Sequence, residues 1–409
     1  MDHNAFGRRR LLGWGGLAAA GVLATGTPLV GALPGRAAPA PTDDPIRAYE
    51  KYLAKLAADG KFSGVVLLVH RGGTVLSRGY GMADREKKIP NGAHTAFTLS
   101  SAGKPFHAVA IMRLAQEGKV RLYDTLGTHL TGYAKDISEQ VTIHHLLTAS
   151  AGINAPELDN ERVFRSREEV HTYYAQWSRQ AKLVVPPGSG DQGHTDGAGA
   201  GITMVALIIE AVTGKTYWDY VQESIFGRCG MIGSGFFTRP RWLTDERIAH
   251  PYMALADGSQ VDAIRNLDKS SPVSYMLGKN PGRAFIDAPG DGGFVTAPDL
   301  VRFARALGDG TLLDPPWADV LTAPNTPHAP QTQGLQAAPG DASFGAYGMP
   351  VKITSGQWQW SRGGANPGVG AAWTIYPDSG WVSVILANSD GAPLQEIAAR
   401  EEQAVLGRS

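Results

Sequence analysis

The sequence predicts an α+β fold in which one antiparallel sheet is built from both ends of the chain. Near the N-terminus, residues 62–69 form a near-continuous apolar run, and residues 74–81 resume as a second extended segment after a glycine-containing turn. Near the C-terminus, residues 370–376 and 381–387 repeat this arrangement around a Pro-Asp-Ser-Gly turn. Because an isolated hairpin is only marginally stable, we expect the two hairpins to pair in a single sheet.

In most of the remaining chain, apolar residues recur at helical spacing, which predicts helices. One helix is predicted at 46–58 and a final helix at 392–406. Thr296 followed by Asp299 resembles a capping box, which predicts a further helix start. The predicted helices of the middle of the chain lie at 143–148, 168–180, 203–212 and 217–226.

These elements predict a helical lobe inserted into an α/β lobe. We expect the α/β lobe to comprise about 46–105 and 285–409, and the helical lobe to comprise about 106–284. Residues 41–409 would then form one domain, preceded by a targeting segment at 1–40.

Composition excludes several classes of function. The 409 residues carry no formal net charge, so there is no electrostatic argument for a nucleic-acid partner. The single cysteine, Cys229, excludes an intrachain disulfide. His144 and His145 are adjacent without a grouping of further ligands, so we expect no metal and no cofactor.

The first residues have the features of an export signal. Arg8, Arg9 and Arg10 precede an uncharged stretch at 13–35, and small residues suited to cleavage follow at 38–40. The pattern is typical of a twin-arginine signal peptide. A membrane anchor is the alternative, but Gly, Thr and Pro interrupt the apolar run, which favours cleavage. We therefore expect a secreted or extracytoplasmic protein without a stable membrane anchor.

A serine and a lysine lie three residues apart at a predicted helix start. Ser101 and Lys104 would share one helix face, which places a hydroxyl within reach of an amine. At a helix N-terminus, Ser101 would also lie among unpaired N–H groups that suit a developing oxyanion. The alternative is that Ser100 or Ser101 only caps the helix and that Lys104 is solvated.

Several segments, in order, resemble the serine β-lactamase and penicillin-binding protein superfamily, in particular its class C, D-alanyl-D-alanine carboxypeptidase and esterase branches. Besides the Ser101/Lys104 segment, these are Phe62-Ser63-Gly64-Val65-Val66, Gly79-Tyr80-Gly81-Met82-Ala83-Asp84-Arg85, Leu114-Ala115-Gln116-Glu117-Gly118-Lys119-Val120, Val141-Thr142-Ile143-His144-His145-Leu146-Leu147-Thr148-Ala149-Ser150-Ala151-Gly152-Ile153 and Asp291-Gly292-Gly293-Phe294-Val295-Thr296. The resemblance covers about 46–407. It implies a five-stranded antiparallel sheet flanked by helices, a helical lobe, and an active site in the cleft between them.

The resemblance implies acyl transfer, with Ser101 as the nucleophile and Lys104 beside it. Lys104 would have to be neutral to act as a base, and burial or neighbouring positive charge would favour that form. The family's third motif corresponds here to a strand with Arg362, Gly363, Gly364 and Ala365, which would bind substrate and supply a second oxyanion donor.

The sequence departs from the family pattern at two places. The Tyr-x-Asn element that follows a Pro-Gly pair is missing. When residues are counted forward from Pro187, His194 falls near the tyrosine position and would serve as general base. When residues are counted back from Glu210, a glycine loop falls at that position instead.

The second departure is Arg362, where the family usually has Lys or His. An arginine binds a carboxylate but transfers no proton, and the alternative is an exposed strand residue.

Three functions remain open. The first is a secreted serine hydrolase that forms an acyl-enzyme on Ser101 with an ester, amide, peptide or β-lactam. The second is an acyltransferase or transpeptidase with the same intermediate. The third is a catalytically impaired binding protein that retains the cleft. In each case the expected partner is a small molecule or a peptide, and the sequence does not define an oligomeric state.

Overall fold

The computed structural model describes residues 44–189, 198–327 and 341–407. These residues belong to one compact unit. The predicted targeting segment and His194 lie outside the described residues, and the boundaries between the two lobes stay a prediction.

The predicted sheet forms from both ends of the chain. Within the described residues it has eight strands, all paired antiparallel in the order β3-β4-β5-β6-β7-β8-β1-β2. The strands are β1 (Gly64–His70), β2 (Gly73–Tyr80), β3 (Thr326–Pro327), β4 (Ala342–Gly345), β5 (Pro350–Thr354), β6 (Gln357–Asn366), β7 (Val369–Tyr376) and β8 (Trp381–Ala387).

The first strand joins the two hairpins. In the pairing of β1 with β8, Gly64 lies opposite Ala387 and His70 lies opposite Trp381. The strand is apolar on both faces because both are covered: Val65 and Leu67 belong to the main core, whereas Val66 packs in a second core on the opposite face. The continuous apolar run that predicted this strand therefore reflects a central position in the sheet.

Helices cover both faces of the sheet. The second core contains residues of the first and last helices, and the main core contains residues of the helices Pro105–Gln116 and Ala297–Gly308. The helices are α1 (Pro45–Ala58), α2 (Pro105–Gln116), α3 (Leu126–His129), α4 (Lys135–Gln140), α5 (Ile143–Leu147), α6 (Arg167–Ser178), α7 (Ala198–Thr213), α8 (Tyr217–Val221), α9 (Arg239–Thr244), α10 (Ala297–Gly308), α11 (Pro315–Thr322) and α12 (Leu394–Leu406). A π-helical turn, Gln222–Gly227, follows α8, and 3₁₀ turns lie at Ser100–Gly103, Ser274–Met276 and Pro281–Arg283.

The α+β class is confirmed, but the sheet is larger than expected. The resemblance implied five strands, and five correspond to β6, β7, β8, β1 and β2. The additional strands, β3 to β5, come from 326–354, a stretch rich in Pro and Gln for which no element was predicted. Their shortness explains why alternation of polar and apolar residues did not reveal them.

The capping residue predicted for α10 is present, since the Thr296 side chain accepts a hydrogen bond from the Asp299 N–H. In the described part of the chain, no single helix has both the length and the apolar composition to cross a membrane. The segments Gly199–Thr213 and Tyr217–Gly227 meet those criteria only as a pair bent by 77°.

Candidate active site

The nucleophile candidate lies in a 3₁₀ turn that leads directly into α2. Ser101 belongs to the turn Ser100–Gly103, and Pro105 occupies the first position of the helix, where its missing N–H costs nothing. Lys104 Nζ lies 2.6 Å from Ser101 Oγ and donates a hydrogen bond to it. The spacing of the two residues therefore produces the contact that the sequence predicted.

The backbone of the nucleophile turn is held in a strained conformation. Ser100 has φ of +49°, a left-handed conformation that costs a non-glycine residue about 1 kcal/mol. Its hydroxyl donates to the Ala365 carbonyl at 3.0 Å and accepts from Asn366 Nδ2 at 3.0 Å. The end of β6 therefore stabilises the turn that presents Ser101.

The turn and β6 approach each other so closely that only glycine fits at one position. A Cβ at Gly364 would lie 2.2 Å from the Leu99 carbonyl oxygen and 2.4 Å from the Ala102 nitrogen. From β7, the buried Trp373 indole donates to the Ala102 carbonyl oxygen at 3.0 Å. The sheet thus fixes the turn from two neighbouring strands.

Two backbone N–H groups are positioned to act as oxyanion donors. The N–H of Ser101 lies in the first turn of a helix, where amides have no intrahelical acceptor. On β6, the Ala365 carbonyl faces the nucleophile turn, because it accepts from Ser100. In a strand the N–H and C=O of one residue point to the same side, so the Ala365 N–H faces that turn as well.

Burial and nearby cations favour the neutral form of Lys104. Its side chain is 15% exposed. Desolvation lowers the pKa of Lys104, the positive charges of Arg362 and Lys279 lower it further, and the Asp291 carboxylate opposes the shift. A neutral lysine amine is a base, so the site moves Lys104 toward the form that acyl transfer requires.

Arg362 lies beside the nucleophile turn rather than on an open strand surface. Its Nε donates to the Ser101 carbonyl oxygen at 3.1 Å, and burial lowers the pKa of its guanidinium. In the described part of the chain its Nη groups make no hydrogen bond, so they are available to a substrate anion. The structure therefore places the Arg362 guanidinium beside Ser101, and its role in binding an anion stays a prediction.

A loop at 287–293 closes the other side of the turn. The Leu99 N–H donates to the Gly293 carbonyl oxygen at 2.9 Å. A Cβ at Gly103 would lie only 1.9 Å from the Gly292 carbonyl oxygen, so turn and loop are in direct contact. This contact brings Asp291 Oδ2 to 4.0 Å from Lys104 Nζ.

A buried histidine of α2 supports the same loop. His107 Nδ1 lies 2.9 Å from the Gly290 carbonyl oxygen, so Nδ1 carries the proton that is donated. Burial lowers the pKa of His107 to about 4, and the charges of Lys104 and Arg362 act in the same direction. His107 is therefore neutral near pH 7 and serves as a fixed donor.

The structure brings most of the predicted site residues together. Ser101, Lys104 and Arg362 meet at the turn, and β6 carries Gly363, Gly364 and Ala365 past it. His194 is not among the described residues, and its role stays a prediction.

Sequence reasoning assigned no role to Asp291, His107 or Lys279, and it considered Ser100 only as an alternative helix cap. Asp291 lay in a segment quoted for the resemblance, but only the fold shows that the segment contacts Lys104. For His107 and Lys279 the sequence offered no signal.

The Beta-lactamase family model matches residues 49–407. Among curated proteins, the putative penicillin-binding protein PbpX of Bacillus subtilis is 26% identical over 69% of this chain, and the match spans 64% of that protein's length.

The fold is also found in solved structures, among them the following two. A penicillin-binding protein from Bacillus halodurans is 27% identical, with a TM-score of 0.69 over 86% of this chain and 98% of its own. The D-amino acid amidase from Ochrobactrum anthropi SV3, with L-phenylalanine amide bound, is 21% identical, with a TM-score of 0.67 over 89% and 99%. Since the family model covers most of the 409 residues, the chain belongs to the beta-lactamase family.

Proposed function

We propose that the protein is a serine hydrolase that forms an acyl-enzyme on Ser101. The observation that carries this proposal is the 2.6 Å contact between Lys104 Nζ and Ser101 Oγ, in a turn flanked by two oxyanion donors. A nucleophile within hydrogen-bond reach of a base is the arrangement that nucleophilic catalysis requires.

The reaction follows from the positions of these groups. Neutral Lys104 accepts the Ser101 proton as Oγ attacks the substrate carbonyl carbon. The negative charge that develops on the carbonyl oxygen is stabilised by the N–H groups of Ser101 and Ala365. Collapse of the tetrahedral intermediate transfers the proton from Lys104 to the leaving group, and water then hydrolyses the acyl-enzyme.

The site favours substrates with a carboxylate near the reacting carbonyl. Arg362 places a guanidinium beside Ser101, and Lys279 adds positive charge at Lys104. A guanidinium binds a carboxylate through two parallel hydrogen bonds. We therefore propose esters, amides, peptides or β-lactams with an anionic group as the substrate class; the D-amino acid amidase of the same fold supports the inclusion of amides.

An activated ester tests the proposal. With p-nitrophenyl acetate, we expect a rapid stoichiometric burst of p-nitrophenolate followed by slower turnover, because the acyl-enzyme accumulates. Ser101→Ala should lack the burst. Ser259→Ala, at an exposed turn serine, is the matched control and should retain it.

The absence of a burst and of turnover, both with this ester and with the β-lactam nitrocefin, would contradict the proposal. The cleft would then belong to a binding protein. A burst that survives in Ser101→Ala would contradict the assignment of the nucleophile.

A further inference from the structure

An aspartate lies beside the serine–lysine pair. Asp291 Oδ2 is 4.0 Å from Lys104 Nζ, and the two side chains are 31% and 15% exposed. Nζ is in turn 2.6 Å from Ser101 Oγ. We propose that Asp291 takes up, through Lys104, the proton that Ser101 releases, and so replaces the missing tyrosine. This inference rests on the proposed function, since it concerns the same acylation step.

The loop holds this carboxylate in a defined orientation. The Gly292 N–H donates to Asp291 Oδ1 at 2.9 Å, and the preceding Gly290 carbonyl oxygen is fixed by His107. With Oδ1 occupied by the backbone, Oδ2 faces Lys104. A movement of about 1 Å brings Oδ2 and Nζ to hydrogen-bond distance, and catalytic contacts often shorten in this way when substrate binds.

Asp291 lies among several charged or titratable groups. It interacts electrostatically with Lys104, His107, Tyr174, Tyr217, Asp287 and Arg362. Burial raises the pKa of Asp287 to about 7. Below that pH Asp287 is neutral and adds no second negative charge beside Asp291.

Every proton that moves in this step stays within the site. One proton of the Lys104 ammonium first passes to the Asp291 carboxylate, which leaves Nζ neutral with a free lone pair. As the Oγ–carbon bond forms, the Ser101 O–H bond breaks and its proton passes to this lone pair. Lys104 is then again an ammonium, and Asp291 is a carboxylic acid. When the intermediate collapses, the same proton returns through Lys104 to the leaving group.

If Asp291 acted only through its charge, replacing it would speed acylation, whereas loss of a proton acceptor would slow it. The Asp291 charge raises the pKa of Lys104 against burial. If that were its only effect, Asp291→Asn would increase the neutral fraction of Lys104, and acylation near pH 7 would become faster. If Asp291 is the proton acceptor, the same substitution slows acylation by about 100-fold or more, which is the usual contribution of a positioned base.

The experiment measures the rate of covalent labelling by a fluorophosphonate against pH. The variants are Asp291→Asn, which retains the Oδ1 acceptor for Gly292, Asp291→Glu and Asp291→Ala. Asp268→Asn, at a carboxylate that is 70% exposed, is the matched control. We expect slow labelling in Asp291→Asn, partial recovery in Asp291→Glu, and acceleration of Asp291→Ala by added formate but not by chloride at equal ionic strength.

Asp291→Asn labelling as fast as wild type, or faster, would overturn the inference while leaving the proposed function intact. If Asp291→Ala labels slowly and formate does not accelerate it, the inference is also overturned. A purely structural defect would slow labelling and would not be relieved by formate. A wild-type protein that no acylating probe labels would instead defeat the proposed function. His194→Ala run in parallel should label faster than Asp291→Asn, and the reverse order would assign the relay to His194.

Discussion

Replacing Lys104 with methionine should slow acylation of Ser101 by about 10³-fold, within the range that a positioned general base contributes. Methionine has a similar length but cannot accept the proton from Oγ. In the wild-type protein the acylation rate should rise with pH as Lys104 loses its proton. Because burial, Arg362 and Lys279 lower the pKa of Lys104, this rise should occur below the ~10.4 of an ordinary lysine. The measurement is the second-order rate of fluorophosphonate labelling between pH 5 and pH 10.

Lys119→Met is the matched control, because Lys119 is 52% exposed and its ion pair is with Glu117, at the protein surface. It should label at the wild-type rate with the wild-type pH profile. Thermal unfolding of both variants should show that they fold. A Lys104→Met protein that labels within a few-fold of wild type, with the alkaline rise unchanged, would show that another group is the base.

Gly364→Ala should reduce acylation by about 10²- to 10³-fold, the effect of losing an oxyanion donor. The new Cβ would lie 2.2 Å from the Leu99 carbonyl oxygen and 2.9 Å from the Ser101 nitrogen. Both contacts are with backbone atoms, so strand β6 and the nucleophile turn must separate. The separation also weakens packing, and we expect a loss of about 1–3 kcal/mol in the free energy of unfolding. Burst kinetics with an activated ester and urea denaturation measure the two effects.

The neighbouring glycine provides a matched control. A Cβ at Gly363 would lie 3.6 Å from the Ala371 carbonyl oxygen, an ordinary contact. Gly363→Ala should therefore change both quantities far less than Gly364→Ala. Equal effects of the two substitutions would indicate that the close approach at Gly364 does not determine the geometry of the site.

The parts of the fold that sequence predicted are those with strong local signals. The two terminal hairpins have long apolar runs bounded by turns, and they occur as β1–β2 and β7–β8. The serine–lysine contact was predictable because residues three apart on a helical turn must lie close together. For these features, local geometry and the observed structure agree.

The remaining features depend on contacts between distant segments. Asp291 is 187 residues from Lys104 in sequence, as the two residue numbers show, and no local pattern places them side by side. The strands added between 326 and 354 are short and lack a clear alternation. The position that corresponds to the family's tyrosine could not be assigned, because alignments counted from Pro187 and from Glu210 disagree. The interval 187–210 also includes residues outside the described ones.

The most direct test of the account is the intact mass of the protein after incubation with a fluorophosphonate, followed by peptide mapping. We expect one adduct per chain, located on Ser101, and none in Ser101→Ala. An unmodified wild-type protein, or an adduct on any other residue, would contradict the claim that Ser101 and Lys104 form a working nucleophile–base pair.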